Sequence, residues 1–250
     1  MWETKLAESP EYTARRAELQ QAEIELMRHR ERVAELRRQL PEGAAVDDYV
    51  FLESPAGLGA ADEPGTEVRL SELFSGPERT LIVYHFMYGK KQTSPCPMCT
   101  MWIDGFNGTA AHLARNADLV IVAAADLGTL RAHARSRGWT DLRLLSAGDN
   151  TFKYDFGSED AAGNQDSTIS VFTLDPGGSP RHFYSTHPRM SGDIDQRDID
   201  LLSPVWHMLD LTPQGRGDWY ASLDYGPHAR CAPSSTSQSW SPAGTATPGS

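Results

Sequence analysis

An apolar, strand-like run leads directly into two cysteines at the head of a helical pattern, and this junction constrains the fold more than any other feature. The run occupies residues 81–89, and Cys96 and Cys99 follow it within the segment SPCPMCT. Two thiols three residues apart on the first turn of a helix can close a disulfide across that turn. The helix N-terminus also favours the thiolate, because its unpaired N–H groups and its dipole favour negative charge. The junction therefore predicts a strand–helix unit that carries a redox-active dithiol.

The bulk composition narrows the class of protein. The chain has 250 residues, with 23 basic against 34 acidic side chains and a formal net charge of -11. Such an acidic chain argues against a nucleic-acid partner or an anionic membrane surface, and it contains no run of about 18 apolar residues that would predict a membrane span. No secretory signal is visible at the N-terminus, so we expect a cytoplasmic protein. The sequence indicates no cofactor.

The number of cysteines bears on their role. Three cysteines are too few for a disulfide scaffold. In a reducing compartment, a lone CxxC is better explained by redox chemistry or by metal binding than by a structural disulfide.

The chain divides into three predicted parts. An amphipathic helix occupies residues 1–42, the main domain residues 43–226, and a disordered tail residues 227–250. The tail is rich in Ser, Thr, Pro, Gly and Ala and has few large apolar residues, a composition typical of disorder. It contains Cys231, which we regard as incidental.

The N-terminal part predicts one long helix over 10–40. Ser9 is a suitable N-cap, Pro10 suits the first helical position, and Pro41 ends the pattern. Apolar residues and one histidine follow heptad spacing along the helix, at Leu19, Ala22, Leu26, His29, Val33, Leu36 and Leu40. This stripe either packs against its own domain or a second subunit, or it dimerises as a coiled coil. A homodimer through this helix is therefore one expectation.

In the main domain, strand and helix patterns alternate. Predicted strands lie at 49–52, 67–70, 81–88, 119–125 and 142–146, followed by a hairpin of 168–174 and 181–185. Predicted helices start near the cysteines, at Thr129 and at Asp198. Alternation of this kind implies parallel strands covered by helices, and the hairpin adds antiparallel edge strands. The predicted fold class is α/β, with a central mixed sheet flanked by helices and an N-terminal helical extension.

A strand that feeds a helix opening with CxxC, inside this element order, resembles the thioredoxin superfamily and its peroxiredoxin-like branch. More specifically, the chain is similar to the thioredoxin-like family catalogued as domain of unknown function 899. The matching stretches are Cys96-Pro97-Met98-Cys99-Thr100, Asp104-Gly105-Phe106-Asn107-Gly108, Tyr154-Asp155-Phe156-Gly157 and Leu209-Asp210-Leu211-Thr212-Pro213-Gln214-Gly215-Arg216. The resemblance covers roughly residues 45–226. It implies a thioredoxin-like fold with the cysteines as the redox site.

Two departures from the superfamily patterns bear on the substrate. Thioredoxins place a cis-proline opposite the CxxC, whereas residues 166–168 of this chain contain no proline. Peroxiredoxins carry Pro-x-x-x-Thr-x-x-Cys, and here Thr93 precedes Cys96 by three residues but Gly89 replaces the proline. Because that cis-proline helps thioredoxins bind extended peptides, we expect a small thiol, disulfide or peroxide as substrate rather than a folded protein.

The residues suggest a division of labour at the predicted thiol–disulfide oxidoreductase site. Cys96 is the predicted nucleophile, and Cys99, one turn into the helix, is suited to resolve a mixed disulfide. Two inert, buried cysteines are the structural alternative. Candidate supporting or substrate-binding residues are His85, Thr93, Trp102, Tyr154, Asp155 and Thr168. His85 is either a hydrogen-bonded core histidine or the proton acceptor for Cys99.

Two further functions compete with this interpretation. A soft-metal site for Cu(I) would use the sulfur atoms of Cys96, Cys99, Met98 and Met101, with the imidazole of His85. No second CxxC or HxxxH completes a zinc tetrad. The third hypothesis is a redox-insensitive interaction protein that acts through the long N-terminal helix.

Overall fold

The computed structural model describes residues 6–53, 57–58, 65–188, 202–217 and 219–224. Its strands are β1 (Val50–Glu53), β2 (Thr66–Arg69), β3 (Leu81–Phe86), β4 (Asp118–Ala123), β5 (Arg143–Ser146), β6 (Thr168–Leu174) and β7 (Pro180–Thr186). Its helices are α1 (Pro10–Arg38), α2 (Pro97–Leu113), α3 (Leu127–Arg137), α4 (Phe152–Asp155) and α5 (Pro204–Asp210), with a 3₁₀ helix at Leu70–Leu73. The predicted tail 227–250 and Cys231 lie outside the described residues. The predicted division at residues 43 and 227 stays a prediction.

One mixed sheet holds the seven strands in the order β2-β1-β5-β4-β3-β6-β7. The strand before the cysteines, β3, lies between parallel β4 and antiparallel β6, and β5 continues the parallel part beside β4. The hairpin of β6 and β7 forms one edge, and the antiparallel pair β1 and β2 forms the other. This arrangement confirms the predicted thioredoxin-like α/β fold. It places the end of β3, where the cysteines begin, near the middle of the sheet.

Two apolar cores cover the two faces of the sheet, because successive strand residues point to opposite faces. Tyr84 and Phe86 of β3 pack on the face that α2 covers, together with Cys99 and Trp102. Leu81 and Val83 pack on the other face, in a cluster with Phe51, Leu70, Leu73, Val120, Val122, Leu145, Phe152 and Phe172. The cysteine-bearing helix therefore belongs to one core only.

A carboxylate joins α2 to α3 and to the residue that follows α3. Asp104 on α2 pairs with the Arg137 guanidinium and accepts a hydrogen bond from the indole N–H of Trp139 at 2.8 Å. Gly138, with φ at +70°, ends α3 in the left-handed conformation that glycine adopts easily, so that Trp139 can turn back. Although glycine weakens helices, α2 runs unbroken through Gly105 and Gly108. The Asp104 carboxylate thus helps to hold α2 in position.

The predicted N-terminal helix is present as α1. Ser9 caps it by accepting a hydrogen bond from the N–H of Tyr12, and Pro10 opens it. None of its residues is buried, and Leu26 is 59% exposed. One link to the domain is the Arg37 guanidinium, which lies 5.1 Å from the centre of the Tyr184 ring. The described part of the chain thus leaves most of the apolar stripe uncovered.

Among the described residues, every helix is too short or too polar to cross a bilayer.

Candidate active site

Cys96 occupies the N-cap of α2, directly before Pro97. Proline suits the first helical position because its φ is preset and its missing N–H would be unpaired there anyway. The Cys96 sulfur accepts a hydrogen bond from the backbone N–H of Cys99, with 3.5 Å between the heavy atoms. The Cys99 thiol, helped by backbone N–H groups of Cys99 and Met98, lowers the pKa of Cys96 to about 7, against the opposing effects of burial and of Asp166. A substantial share of Cys96 is therefore thiolate, the nucleophilic form, near neutral pH.

Cys99 has the opposite character. It is only 1% exposed, and burial together with the neighbouring Cys96 raises its pKa well above the usual range. The Tyr84 side chain on β3 is fully buried beside it, and among the described residues the Tyr84 hydroxyl has no hydrogen-bond partner of ordinary geometry. Burial, and then the charge that Cys99 can carry, raise the pKa of Tyr84. The site thus combines a half-buried thiol of lowered pKa with a buried thiol that holds its proton.

Two neighbouring backbone carbonyls at the end of β3, where the chain turns towards the cysteines, each accept a hydrogen bond from a distant part of the site. The backbone N–H of Cys96 donates to the Met87 carbonyl at 3.2 Å. From α4, the Lys153 ammonium reaches the preceding carbonyl, that of Phe86, at 3.1 Å. Lys153 is only 1% exposed, and burial lowers its pKa to about 7. A buried lysine therefore lies beneath the junction that carries the dithiol.

The loop before β6 supplies an acid beside the cysteines. The charge of Asp166 acts to raise the pKa of both Cys96 and Tyr84, and its carboxylate lies 3.0 Å from the Nε2 atom of His187. Thr168 opens β6, is buried, and lies opposite His85 on β3. Thioredoxins carry their cis-proline just before the strand that corresponds to β6. In this chain the same segment contains Asp166, two residues before Thr168.

The structure does not bring His85 to the cysteines. Because side chains alternate along β3, its ring lies on the face away from α2, stacked on Phe152 with 5.0 Å between ring centres. Its Nδ1 shares a hydrogen bond with Ser158 at 2.7 Å, and its Nε2 shares one with Ser170 at 3.0 Å. Burial, and then the charge of Lys153, lower the pKa of His85 well below its usual value. Of the two alternatives, the geometry matches the hydrogen-bonded core histidine.

The chain of hydroxyl groups that begins at His85 runs on across the hairpin. Ser170 on β6 shares a hydrogen bond with Ser185 on β7 at 2.9 Å. Ser185 in turn shares one with Nε2 of His182 at 2.8 Å. At the other end, the Ser158 hydroxyl also lies 3.0 Å from the Lys153 carbonyl. Five polar side chains are thereby connected through the second core.

The remaining predicted residues have separate surroundings. Trp102 is buried on α2 and meets Tyr84 edge to face, with ring centres 6.2 Å apart. Thr93 is exposed in the loop before α2. Tyr154 is about half exposed on α4. Asp155 accepts a hydrogen bond from the Tyr49 hydroxyl at 2.7 Å, so it ties α4 to the segment before β1 rather than closing over the cysteines.

The predicted copper ligands are only partly brought together. Met98 and Cys99 lie in the same core as Cys96 and Met101, whereas His85 faces the other core. Within the described ranges, no group of three or more His, Cys, Asp or Glu side chains has the arrangement of a metal site. A soft metal here would depend on sulfur ligands alone.

Sequence reasoning missed Lys153 and Asp166. Lys153 stands between aromatic residues in the segment TFKYDF, and an isolated cation in an aromatic segment is a usable signal of burial. Asp166 was noted only as part of the segment that lacks a proline. Neither residue shares a spacing pattern with the cysteines, so only the fold could bring them together.

The sequence was also compared with known protein families. Residues 1–240 match the model of the family described as "Bacterial protein of unknown function (DUF899)". The chain belongs to this family. Two of the DUF899-like stretches now have visible structural roles, since Asp104 joins α2 to α3 and Asp155 anchors α4. No curated protein sequence matches this DUF899 chain significantly.

Several solved structures of bacterial proteins are similar to this DUF899 protein. Mycobacterium tuberculosis AhpC is 17% identical, with a TM-score of 0.45 over 65% of this chain and 89% of its own. A variant of Xylella fastidiosa PrxQ is 14% identical, with a TM-score of 0.45 over 68% of this chain and 98% of its own. Enterococcus faecalis AhpC is 15% identical, with a TM-score of 0.44 over 64% of this chain and 87% of its own. At such scores, the fold assignment depends on the strand order and the position of the cysteines.

Proposed function

We propose that this protein is a thiol–disulfide oxidoreductase that acts on a small thiol, disulfide or peroxide in the cytoplasm. One observation carries the proposal: Cys96 at the N-cap of α2 accepts a hydrogen bond from the N–H of Cys99, one helical turn away from a second, buried thiol. Helix N-termini stabilise thiolates, and a buried partner three residues on is placed to form a ring-closing disulfide.

The proposed reaction has two steps. The Cys96 thiolate attacks a disulfide RS–SR, forms a mixed disulfide and releases RS⁻, which takes a proton from solvent. With a peroxide, the same thiolate takes one oxygen to give a sulfenic acid and an alcohol or water. Cys99 then loses its proton and attacks the Cys96 sulfur, forming the Cys96–Cys99 disulfide and releasing the second thiol or water. A reducing dithiol must restore the pair before the next turnover.

Two features favour a small substrate. The segment at 166–168 has no proline, and it places the acidic side chain of Asp166 near enough to Cys96 to raise its pKa. Cys96 is half-buried rather than exposed, which restricts the approach of a bulky disulfide. The copper alternative has no comparable observation in its favour.

The test compares three substrates with one preparation. We expect measurable reduction of a low-molecular-weight disulfide or of a peroxide and much slower reduction of insulin. Cys96→Ser should abolish turnover, and Cys99→Ser should trap a mixed disulfide that mass spectrometry detects. Cys231→Ser is the matched control, since it removes a thiol far along the sequence from the CxxC, and it should keep full activity.

Three outcomes would count against the proposal. Insulin reduction at the rate of a typical thioredoxin would remove the preference for small substrates. Absence of turnover with all three substrates, together with stoichiometric copper in the purified protein, would favour the metal-binding alternative. Turnover that survives Cys96→Ser would remove Cys96 from the mechanism.

We also propose that α1 supplies a homodimer contact. The large apolar residues of the stripe on and just after α1 remain exposed in the single chain: Leu19, Leu26, Leu36 and Leu40. A row of this kind at heptad spacing is costly to leave in water and suits a second helix of the same kind.

A further inference from the structure

We propose that an apolar groove beside α2 binds a small apolar monocarboxylic acid, with the Arg37 guanidinium holding the carboxylate. The groove has a volume of about 750 Å³, which lies within the range of small-molecule sites. It follows the second half of α2, whereas Cys96 caps the start of that helix. Because α2 has 17 residues, its two ends lie about 25 Å apart. The inference is therefore separate from the proposed dithiol chemistry.

The floor of the groove is a row of side chains on neighbouring strands. The row crosses β4, β3, β6 and β7 through residues that pair with one another: Leu119, Ile82, Val171 and Tyr184. Residues that pair directly point to the same face of a sheet, and this row lies on the face that α2 covers. The side chains of α2 form one wall above it, at the helical spacing of Phe106, Thr109 and Leu113.

A β-bulge brings a further aromatic side chain to the groove. Val171 pairs with Tyr184, and the next residue on β6, Phe172, pairs with His182. Phe183 is therefore an extra residue on β7, as in a bulge. In a regular strand the neighbours Phe183 and Tyr184 would point to opposite faces, yet both line the groove. The bulge thus adds an aromatic edge to the groove on the outer strand of the sheet.

One cation stands at this apolar surface. Arg37, in the last turn of α1, lines the groove, and its guanidinium lies 5.1 Å from the centre of the Tyr184 ring. Among the described residues it pairs with no carboxylate, and a cation–π contact gives its N–H donors no oxygen acceptor. The residues that line the groove include no Asp or Glu and, apart from the titratable His112, no other cation. The guanidinium is therefore available to an anionic group of a ligand.

The charge and the size of the groove favour one class of occupant. A guanidinium binds a carboxylate through two parallel hydrogen bonds, and one cation balances one negative charge. A polyanion would bring excess negative charge to a chain of formal net charge -11.

The other candidate occupant is a helix from a second copy of the chain. A helix about 10 Å across would fill the groove in about two turns, whereas α1 has 29 residues. The groove therefore matches a small molecule with an apolar body and a single carboxylate better than it matches α1 of a partner.

The test uses dansylaminoundecanoic acid, a fluorescent carboxylic acid with an apolar body, and its methyl ester, which lacks the charge. The full-length protein should bind the acid saturably, and it should bind the ester about tenfold more weakly because the charge-assisted hydrogen bonds are lost. Arg37→Met should lower the affinity for the acid to that for the ester. Arg115→Met, at an exposed arginine just after α2 that does not line the groove, is the matched control and should change neither affinity.

A second variant closes the groove and leaves Arg37 in place. Thr109 is exposed on α2 and lines the groove, so Thr109→Trp should fill the space with an indole ring and abolish binding of both compounds. Circular dichroism shows whether each variant keeps the fold. The comparison of acid with ester in the unmodified protein needs no substitution, so it decides the question even where a variant does not fold.

Four results would overturn the proposal. The first two are the absence of saturable binding and equal affinities for acid and ester in the unmodified protein. Binding that a folded Thr109→Trp protein retains unchanged would place the compound on another apolar surface, such as the exposed stripe of α1. Absence of binding, together with a dimer that Thr109→Trp dissociates, would identify a second copy of the chain as the occupant.

Discussion

The pKa of Cys96 depends on a neighbour that is itself a cysteine. The hydrogen bond from the Cys99 side chain is the largest cause that lowers the pKa of Cys96, ahead of the backbone N–H groups at the helix start. The same closeness raises the pKa of Cys99. The two thiols therefore titrate as a pair, and removing one should change the other.

The first prediction concerns this coupling. In a Cys231→Ser background, the rate of Cys96 alkylation should rise with pH through a midpoint of about 7, because only the thiolate reacts. Cys99→Ala should move that midpoint upwards, since the strongest stabilising contact is lost while the helix N-terminus remains. The measurement is the second-order rate constant for alkylation of Cys96 by iodoacetamide, determined between pH 5 and pH 10. Identical midpoints in the two proteins would show that the helix alone sets the Cys96 pKa.

Residue roles could be predicted only where spacing determines them. The difference between Cys96 and Cys99 follows from their places on one helical turn, so it was accessible from sequence. The position of His85 relative to the cysteines was not, because periodicity tells which residues share a face but not which face receives α2. The burial of Lys153 was also inaccessible, since it depends on α4 packing against β3 across a long sequence separation.

Among the elements, α2 must be held in place along its length as well as at its start. Its N-terminus carries the thiols, and its middle is attached to α3 through Asp104, Arg137 and Trp139. Because the strand-to-helix loop alone leaves the helix free to tilt, this attachment defines where Cys99 lies relative to β3.

The second prediction follows from that attachment. Asp104→Asn weakens the charged contact with Arg137 and the hydrogen bond from Trp139, and it should lower the free energy of unfolding by about 1–3 kcal/mol. Urea denaturation monitored by circular dichroism measures the change. Glu67→Gln, at an exposed residue of β2, is the control and should stay within about 0.5 kcal/mol of the wild type. Equal stabilities of the two variants would remove the structural role assigned to Asp104.

The third prediction concerns α1. If a second copy covers the apolar stripe, Leu26→Asp should dissociate the dimer, because each fully buried leucine contributes about 1.5–3 kcal/mol. Gln21→Asp, which adds the same charge away from the stripe, should leave the dimer intact. Sedimentation analysis gives the oligomeric state, and circular dichroism shows whether the main domain stays folded. A protein that is monomeric at all concentrations, with or without the change, would rule out the dimer contact.

Element types were predicted well where the periodicity was long. The helix over 10–40, the strand before the cysteines and the hairpin of β6 and β7 all have clear patterns. The single turn of α4 was not predicted, because four residues are too few to show a helical period. The final helix was predicted from Asp198, whereas the described helix α5 starts at Pro204, and residues 198–201 lie outside the described residues.

For the molecule as a whole, the alternation of strands and helices predicted an α/β sheet. The cysteines at a strand–helix junction indicated that this sheet has the thioredoxin-like fold. The strand order was less accessible. The pairing of β1 with β5 joins segments about ninety residues apart and depends on which hydrophobic faces meet, which local pattern does not encode. The contact between α4 and the cysteine junction is a product of that same long-range assembly.

The polar chain from Ser158 through His85, Ser170 and Ser185 to His182 has a consequence for protons rather than for shape. Each hydroxyl has one hydrogen to give, so the tautomer of the neutral His85 ring fixes the direction of every bond after it. With the hydrogen on Nδ1, His85 donates to Ser158, whose own hydrogen goes to the Lys153 carbonyl, and the hydroxyls of Ser170 and Ser185 point back towards His85. With the hydrogen on Nε2, the bonds between these side chains reverse, and the Ser158 hydrogen leaves the Lys153 carbonyl for Nδ1. The tautomer of His182, half-buried at the hairpin, therefore reports that of a histidine in the core. The hydrogen bonds of the second core can therefore run in either of two opposite directions while every heavy atom keeps its position.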